Sequence, residues 1–202
     1  MDRLIKNLFL YLSVLVLIWS GISPFDRFTW YLEVFPSVLA LPILFYVDKK
    51  WNLNKYIYII FCLHSIILSV GGHFTYANVP AGFWVQEFFS LERNHYDRLG
   101  HFFQGISPTL VGFLYLKHKQ VISTDFWLKI FCITIAVTFS VAYEFLEWWT
   151  ALAAGDGATE FLGTQGDVWD TQWDMFMALC GSVLTVTTLT FFGLQGNKRR
   201  LH

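Results

Sequence analysis

Eight ionisable side chains in four short stretches of this chain are spaced so that they can act together. In Asn94-His95-Tyr96-Asp97-Arg98-Leu99-Gly100-His101-Phe102-Phe103-Gln104, residues Asp97, His101 and Gln104 recur at i, i+4 and i+7. In a helix they form one polar stripe. Pro108, four residues further on, frees the Gln104 carbonyl. Tyr143-Glu144-Phe145-Leu146-Glu147-Trp148 carries two carboxylates at i and i+3, again on one face. Gly166-Asp167-Val168-Trp169-Asp170-Thr171-Gln172-Trp173-Asp174 carries three, at i, i+3 and i+7, and Gly71-Gly72-His73 adds a second imidazole.

Like charges crowded in a partly dry place repel one another, so they protonate or hold a cation. Imidazole among carboxylates suits zinc or manganese; carboxylates and amide oxygens alone suit calcium or magnesium. The candidate ligands are His101, Glu144, Asp170 and Asp174, with Asp97, Asp167 and His73 as further members. An ion with an open position activates water while a spare carboxylate, Glu147, serves as general base. Arg98, with Arg93, is placed to engage an anionic or phosphate headgroup. The chemistry expected is hydrolysis or group transfer. Each residue also has a plainer reading. Asp97 and Asp167 suit helix caps or dipole partners, Glu147 suits a solvated helix end, His73 a turn, and His95 a loop. That reading is weakest for His101 and Glu144, each about a turn inside an apolar segment, where an ionisable group needs a partner. No H-E-x-x-H, EF-hand loop, G-x-S-x-G or P-loop accompanies the cluster, so it specifies a site better than a reaction.

The elements that must position these groups are membrane helices. The 202-residue chain has only 14% charged residues and a mean hydropathy of +0.47, outside the soluble range. Its apolar residues come in six blocks, 4–22, 30–47, 56–72, 99–116, 126–149 and 175–194. Each approaches the roughly 20 residues that cross a hydrocarbon core of about 30 Å. The expected fold is therefore all-α, a transmembrane bundle of about six helices forming one domain over 1–202. The first block also has the outline of a signal peptide, with Arg3 and Lys6 before a short apolar run.

Lys and Arg set the orientation. With the N-terminus cytoplasmic, Arg3, Lys6, Lys49, Lys50, Lys55, Lys117, Lys119, Lys129, Lys198, Arg199 and Arg200 lie inside. Arg27, Arg93 and Arg98 lie outside. Eleven bases then face three acids on the inner side, and three bases face 12 acids on the outer side. Both termini are expected in the cytoplasm, and the four candidate stretches at the periplasmic ends of helices three to six. The long outer connections are 73–98, whose Phe83-Trp84-Val85-Gln86-Glu87-Phe88-Phe89 reads as an interfacial helix, and 150–172, which has no Lys or Arg. Trp30, Trp51, Trp127, Trp148, Trp149 and Trp173 fall near span ends as interfacial anchors. Cys62, Cys132 and Cys180 fall inside spans and form no disulfide or metal-binding spacing.

Four segments carry a family resemblance. They are Thr75-Tyr76-Ala77-Asn78-Val79-Pro80, Arg93 to Phe102, Tyr143 to Trp148, and Leu162-Gly163-Thr164-Gln165-Gly166-Asp167-Val168-Trp169-Asp170-Thr171-Gln172-Trp173-Asp174-Met175. Together they resemble the YjdF family of bacterial inner-membrane proteins, which implies an inner-membrane location without implying a reaction. A second similarity, over residues 97–190, is to the VanZ family, linked to glycopeptide resistance. It rests on Asp97-Arg98-Leu99-Gly100-His101, on Glu144 or Glu147, and on Asp170-Thr171-Gln172-Trp173-Asp174. It implies a link to the cell envelope.

Three readings compete. One is a metal-dependent enzyme on a lipid or envelope substrate. Another is an ion-coupled transporter, which the nearly apolar cytoplasmic halves disfavour, His64 being the only ionisable group near mid-membrane. The third is a non-catalytic scaffold or binding protein with a structural ion site. Membrane lipid is the expected partner, no protein partner is indicated, and topology accounts for the basic residues, so no nucleic-acid partner is expected.

Overall fold

The computed structural model describes residues 1–155 and 159–191. Among these the chain is helical, with no strand. In order it forms α1 (Asp2–Ser20), α2 (Arg27–Trp51), α3 (Lys55–Phe74), a 3-10 turn (Tyr76–Asn78), α4 (Pro80–Phe89), α5 (Tyr96–His118), α6 (Asp125–Ala154), α7 (Thr159–Leu162) and α8 (Asp170–Phe191). Five of these, α1, α2, α3, α6 and α8, are long and apolar enough to cross a membrane.

Helix α5, expected as a sixth crossing, differs. Its 23 residues span about 35 Å at 1.5 Å per residue. Length is sufficient, but Asp97, Arg98, His101 and Gln104 crowd its first turns and lower its apolarity. Helix α8 begins five residues before the expected block, which brings Asp170 and Asp174 inside the helix. Residues 192–194 of that block, with Lys198, Arg199 and Arg200, lie outside the described residues. The aromatic segment of 73–98 does form a helix, α4, started by Pro80 at its first position. Phe83, Trp84, Phe88 and Phe89 stand exposed on it.

The chain divides into two interleaved compact units, Met1–Gly100 with Glu144–Asp170, and His101–Tyr143 with Thr171 onward. In the first, α1, α2 and α3 pack through small polar residues. Ser13 Oγ donates to the Cys62 carbonyl at 3.2 Å, Ser37 Oγ to that of Ser65 at 3.3 Å, and Trp30 Nε1 to Ser20 Oγ at 3.0 Å. Hydroxyls of this size let membrane helices approach closely while their own polar atoms stay satisfied. Where these three helices meet at the opposite end, buried Lys6 donates to Asp48 at 2.7 Å and to Asn52 at 3.2 Å. Asp26 starts α2 by accepting from the Thr29 backbone N–H at 2.7 Å. The helix continues through Pro36 and Pro42, as membrane helices do when neighbours satisfy the freed carbonyls.

In the second unit, α5 and α8 touch backbone to backbone. A Cβ at Gly105 would lie 2.0 Å from the Ala178 carbonyl oxygen, and one at Gly181 would lie 2.1 Å from that of Phe102. Only glycine fits either place. Helix α6 packs on α5 where Gly112 faces Ile135 and Cys132, and Thr109 Oγ1 donates to the Cys132 carbonyl at 3.4 Å.

Candidate functional site

Each unit holds some of the residues with chemical potential. In the first unit, residues 91–98 are bound to residues 163–170. Arg93, almost wholly buried, donates to the Asp170 carboxylate, to Asp167 Oδ2 at 3.4 Å and to the Gly163 carbonyl at 3.3 Å. Arg98 Nη2 donates to the same Asp167 oxygen at 2.7 Å. Asp167 Oδ1 accepts the Trp169 backbone N–H at 2.9 Å. That backbone hydrogen bond, then the charges of Arg93 and Arg98, hold the Asp167 carboxyl below the usual carboxylate range. The two arginines pictured as headgroup contacts therefore bind carboxylates of their own chain here.

Between them, Asn94 organises the start of α5. Its Oδ1 accepts the Tyr96 backbone N–H at 3.0 Å, and its Nδ2 donates to the Val79 carbonyl at 3.0 Å. Gln165 accepts from the Asn94 N–H at 3.0 Å and donates to the Asn94 carbonyl at 2.9 Å. Gly82 permits this packing, since a Cβ there would fall 1.8 Å from Asn94 Oδ1. Tyr96 Oη donates to the Ile67 carbonyl at 3.1 Å and ties the same turn to α3. Asn94, Gln165 and Gly82 escape a search for charged clusters because all three are neutral. The signal available was the Asx-type start of α5, an Asn two residues before the first helical N–H to be capped.

His95 stands between the arginines with its Nδ1 buried and without a hydrogen-bond partner. Burial first, then the charges of Arg98 and Arg93, lower its pKa. His73, the other imidazole considered as a ligand, is engaged elsewhere. Its Nδ1 donates to the Ser20 carbonyl at 3.0 Å, and its ring packs against Trp19 and Phe74. Glu144 and Glu147, one turn apart on α6, bring carboxylate oxygens within 4.8 Å of each other, Glu144 being buried.

In the second unit, His101 and Asp174 come together. Both are buried, and an imidazole nitrogen and a carboxylate oxygen lie within 4.8 Å. The His101 ring also faces Tyr143 edge-on, with centroids 6.2 Å apart. Asp97 precedes His101 by one turn on the unbroken helix α5, at the spacing that puts both on one face. A buried imidazole and carboxylates at these separations make a group that can hold a divalent ion.

The family described as "Predicted membrane protein (DUF2238)" matches residues 5–194. The chain is 45% identical to "Inner membrane protein YjdF" of Escherichia coli (strain K12) over 209 residues, covering 98% of this chain and 97% of that protein. No solved structure matches it. With its long apolar helices, the chain belongs to the YjdF family and is a multi-pass protein of the bacterial inner membrane.

Proposed function

We propose that the protein is a divalent-metal-dependent hydrolase or group transferase acting on a lipid or cell-envelope substrate at the periplasmic face of the inner membrane. In this reading the chain is one domain crossing six times, α5 being the crossing that carries the polar groups, with both termini cytoplasmic. The observation that carries the reading is the His101–Asp174 pair, buried and within 4.8 Å, with Asp97 one turn before His101 on the same helix. Imidazole beside carboxylate favours zinc or manganese over magnesium or calcium. Glu144 adds a ligand, Glu147 acts as base, and Arg98 meets an anionic substrate. Asp170 and Asp167, neutralised by arginine, hold the surrounding loops in this scheme.

The test is elemental analysis of detergent-purified protein beside His101→Ala and Asp174→Asn variants. About one zinc or manganese per chain is expected in the unmodified protein and none in the variants. No stoichiometric metal after reconstitution with zinc, manganese, magnesium and calcium would overturn the proposal. A reporter fused after His202 checks the topology, and a periplasmic C-terminus would refute it.

A second reading, a non-catalytic binding protein with a structural ion, is favoured by one observation. Arg93 and Arg98 are already paired with Asp167 and Asp170, as expected of a rigid scaffold. Under that reading the metal raises the melting temperature while no lipid or envelope precursor is turned over.

A further inference from the structure

Glu33 is buried on α2, which begins at Arg27, and so stands about 9 Å along the helix axis. Among the described residues it is the one carboxylate on the buried faces of α1, α2 and α3. The backbone of α3 comes up against it, since a Cβ at Gly72 would lie 3.2 Å from Glu33 Cβ. A carboxylate inside an apolar crossing helix is costly and marks a site that compensates it.

One turn earlier on the same helix, Thr29 is entirely buried and its Oγ1 has no hydrogen-bond partner. The cause is its place in the chain. Other hydroxyls of this unit bond back one turn, Ser13 to the Phe9 carbonyl, Ser20 to that of Leu17 and Ser69 to that of Ser65. Thr29 cannot follow them, because Phe25 and Asp26 precede the helix. At i and i+4 the Thr29 and Glu33 side chains share a face. Helical side chains lean toward the N-terminus, which carries the Glu33 carboxylate over the turn of Thr29.

Deeper in the α2–α3 seam, Ser37 and Ser69 both donate to the Ser65 carbonyl, at 3.3 and 2.8 Å. Beyond them the buried faces turn apolar, with Leu41 and Leu44 on α2 and Tyr58 and Cys62 on α3. The Ser65 hydroxyl is also without a partner, but it lies about 10 Å along α3 from Gly72 and belongs to a different level of the seam.

We propose that Glu33 and Thr29 bind a monovalent alkali cation between α2 and α3. Carboxylate and hydroxyl oxygens are hard donors, which suit such an ion and not zinc. One carboxylate balances one positive charge, whereas a divalent ion would leave a net charge buried in an apolar helix pair. The cation bonds to an oxygen of each side chain and takes up the capacity that Thr29 cannot turn to its own backbone. The site lies within the first unit and does not depend on the divalent ion proposed at His101.

The test follows thermal unfolding of the purified full chain in detergent with EDTA and equal concentrations of sodium, potassium or choline chloride, beside equilibrium dialysis for bound sodium and potassium. Sodium or potassium at about ten times its half-saturating concentration raises the melting temperature by about 3–6 °C over choline, and about one such ion per chain is retained. Glu33→Gln removes the charge and abolishes both signals. Thr29→Val removes the hydroxyl and raises the half-saturating concentration about tenfold; it carries the test alone if Glu33→Gln does not fold. Equal melting temperatures in the three salts, or a variant that responds as the unmodified protein does, would overturn the proposal. Variants that melt lower by the same amount in every salt would also overturn it, since they mark a resident water. His101→Ala removes the proposed divalent site and leaves this response intact.

Discussion

Gln165 holds both backbone groups of Asn94, accepting from its N–H at 3.0 Å and donating to its carbonyl at 2.9 Å. It does so from a left-handed backbone conformation, φ 49°, flanked by Gly163 and Gly166 at φ 56° and 84°. The pair of hydrogen bonds offsets the strain of a non-glycine residue there. Gln165→Ala leaves the buried Asn94 backbone unpaired and should cost about 1–3 kcal/mol in denaturant or thermal unfolding.

Arg93→Met should be more damaging than Asp167→Asn. Arg93 and Asp170 are both nearly sealed from solvent, so removing the arginine strands a buried carboxylate, at about 3–5 kcal/mol. The double variant Arg93→Met/Asp170→Leu should recover most of that loss. A double-mutant cycle on unfolding free energy checks this, and additive losses would show that the two side chains do not depend on each other.

Acid should weaken the first unit in two stages. The folded-state pKa of His95 is lowered, so the unfolded chain takes up its proton first. Its contribution is complete above the unfolded value of about 6.5 and declines as pH falls from there through the folded value. Asp167 is also lowered, and its contribution is complete above about pH 4 and lost below it. His95→Asn should flatten the melting temperature between pH 7 and 5 and leave the steeper loss below pH 4 intact.

Gly105→Ala and Gly181→Ala should each destabilise the second unit, because either Cβ meets a carbonyl oxygen at about 2 Å. Overpacking of this kind costs about 1–3 kcal/mol. Since both lie on the same helix contact, their combined loss should fall short of the sum. Gly163→Ala, with open space around it but φ 56°, should cost about 1 kcal/mol from backbone strain alone.

Features with a local cause were legible in the sequence. Apolar blocks announced α1, α2, α3, α6 and α8, and the 3.6-residue period aligned Asp97 with His101 before any tertiary information. The aromatic run at 83–89 announced α4. What the sequence hid depends on long separations. Nothing local says that Arg93 meets Asp170, 77 residues away, instead of Glu144 or Asp97. Nothing local says that His73 turns to the Ser20 carbonyl, or that neutral Asn94 meets Gln165. Sequence charge alone marked Arg93 and Arg98 as available to an anion, whereas folded geometry spends part of that capacity on Asp167 and Asp170. Helix α5 has the length of a crossing, while the polar groups of its first turns lower its apolarity.

The interleaving of the units also sets a timetable for biosynthesis. Lys6 meets Asp48 within the first quarter of the chain, so α1 to α3 can associate while the rest is still being made. Arg93 cannot. Its carboxylate partners lie 74 and 77 residues downstream, about 4–15 s of translation at 5–20 residues per second. Until residues 163–170 have been made, two arginines and an asparagine wait for the segment that pairs with them. The nascent protein is most exposed to membrane proteases and to chaperone capture in that interval, and a slow codon run between residues 98 and 163 would lengthen it.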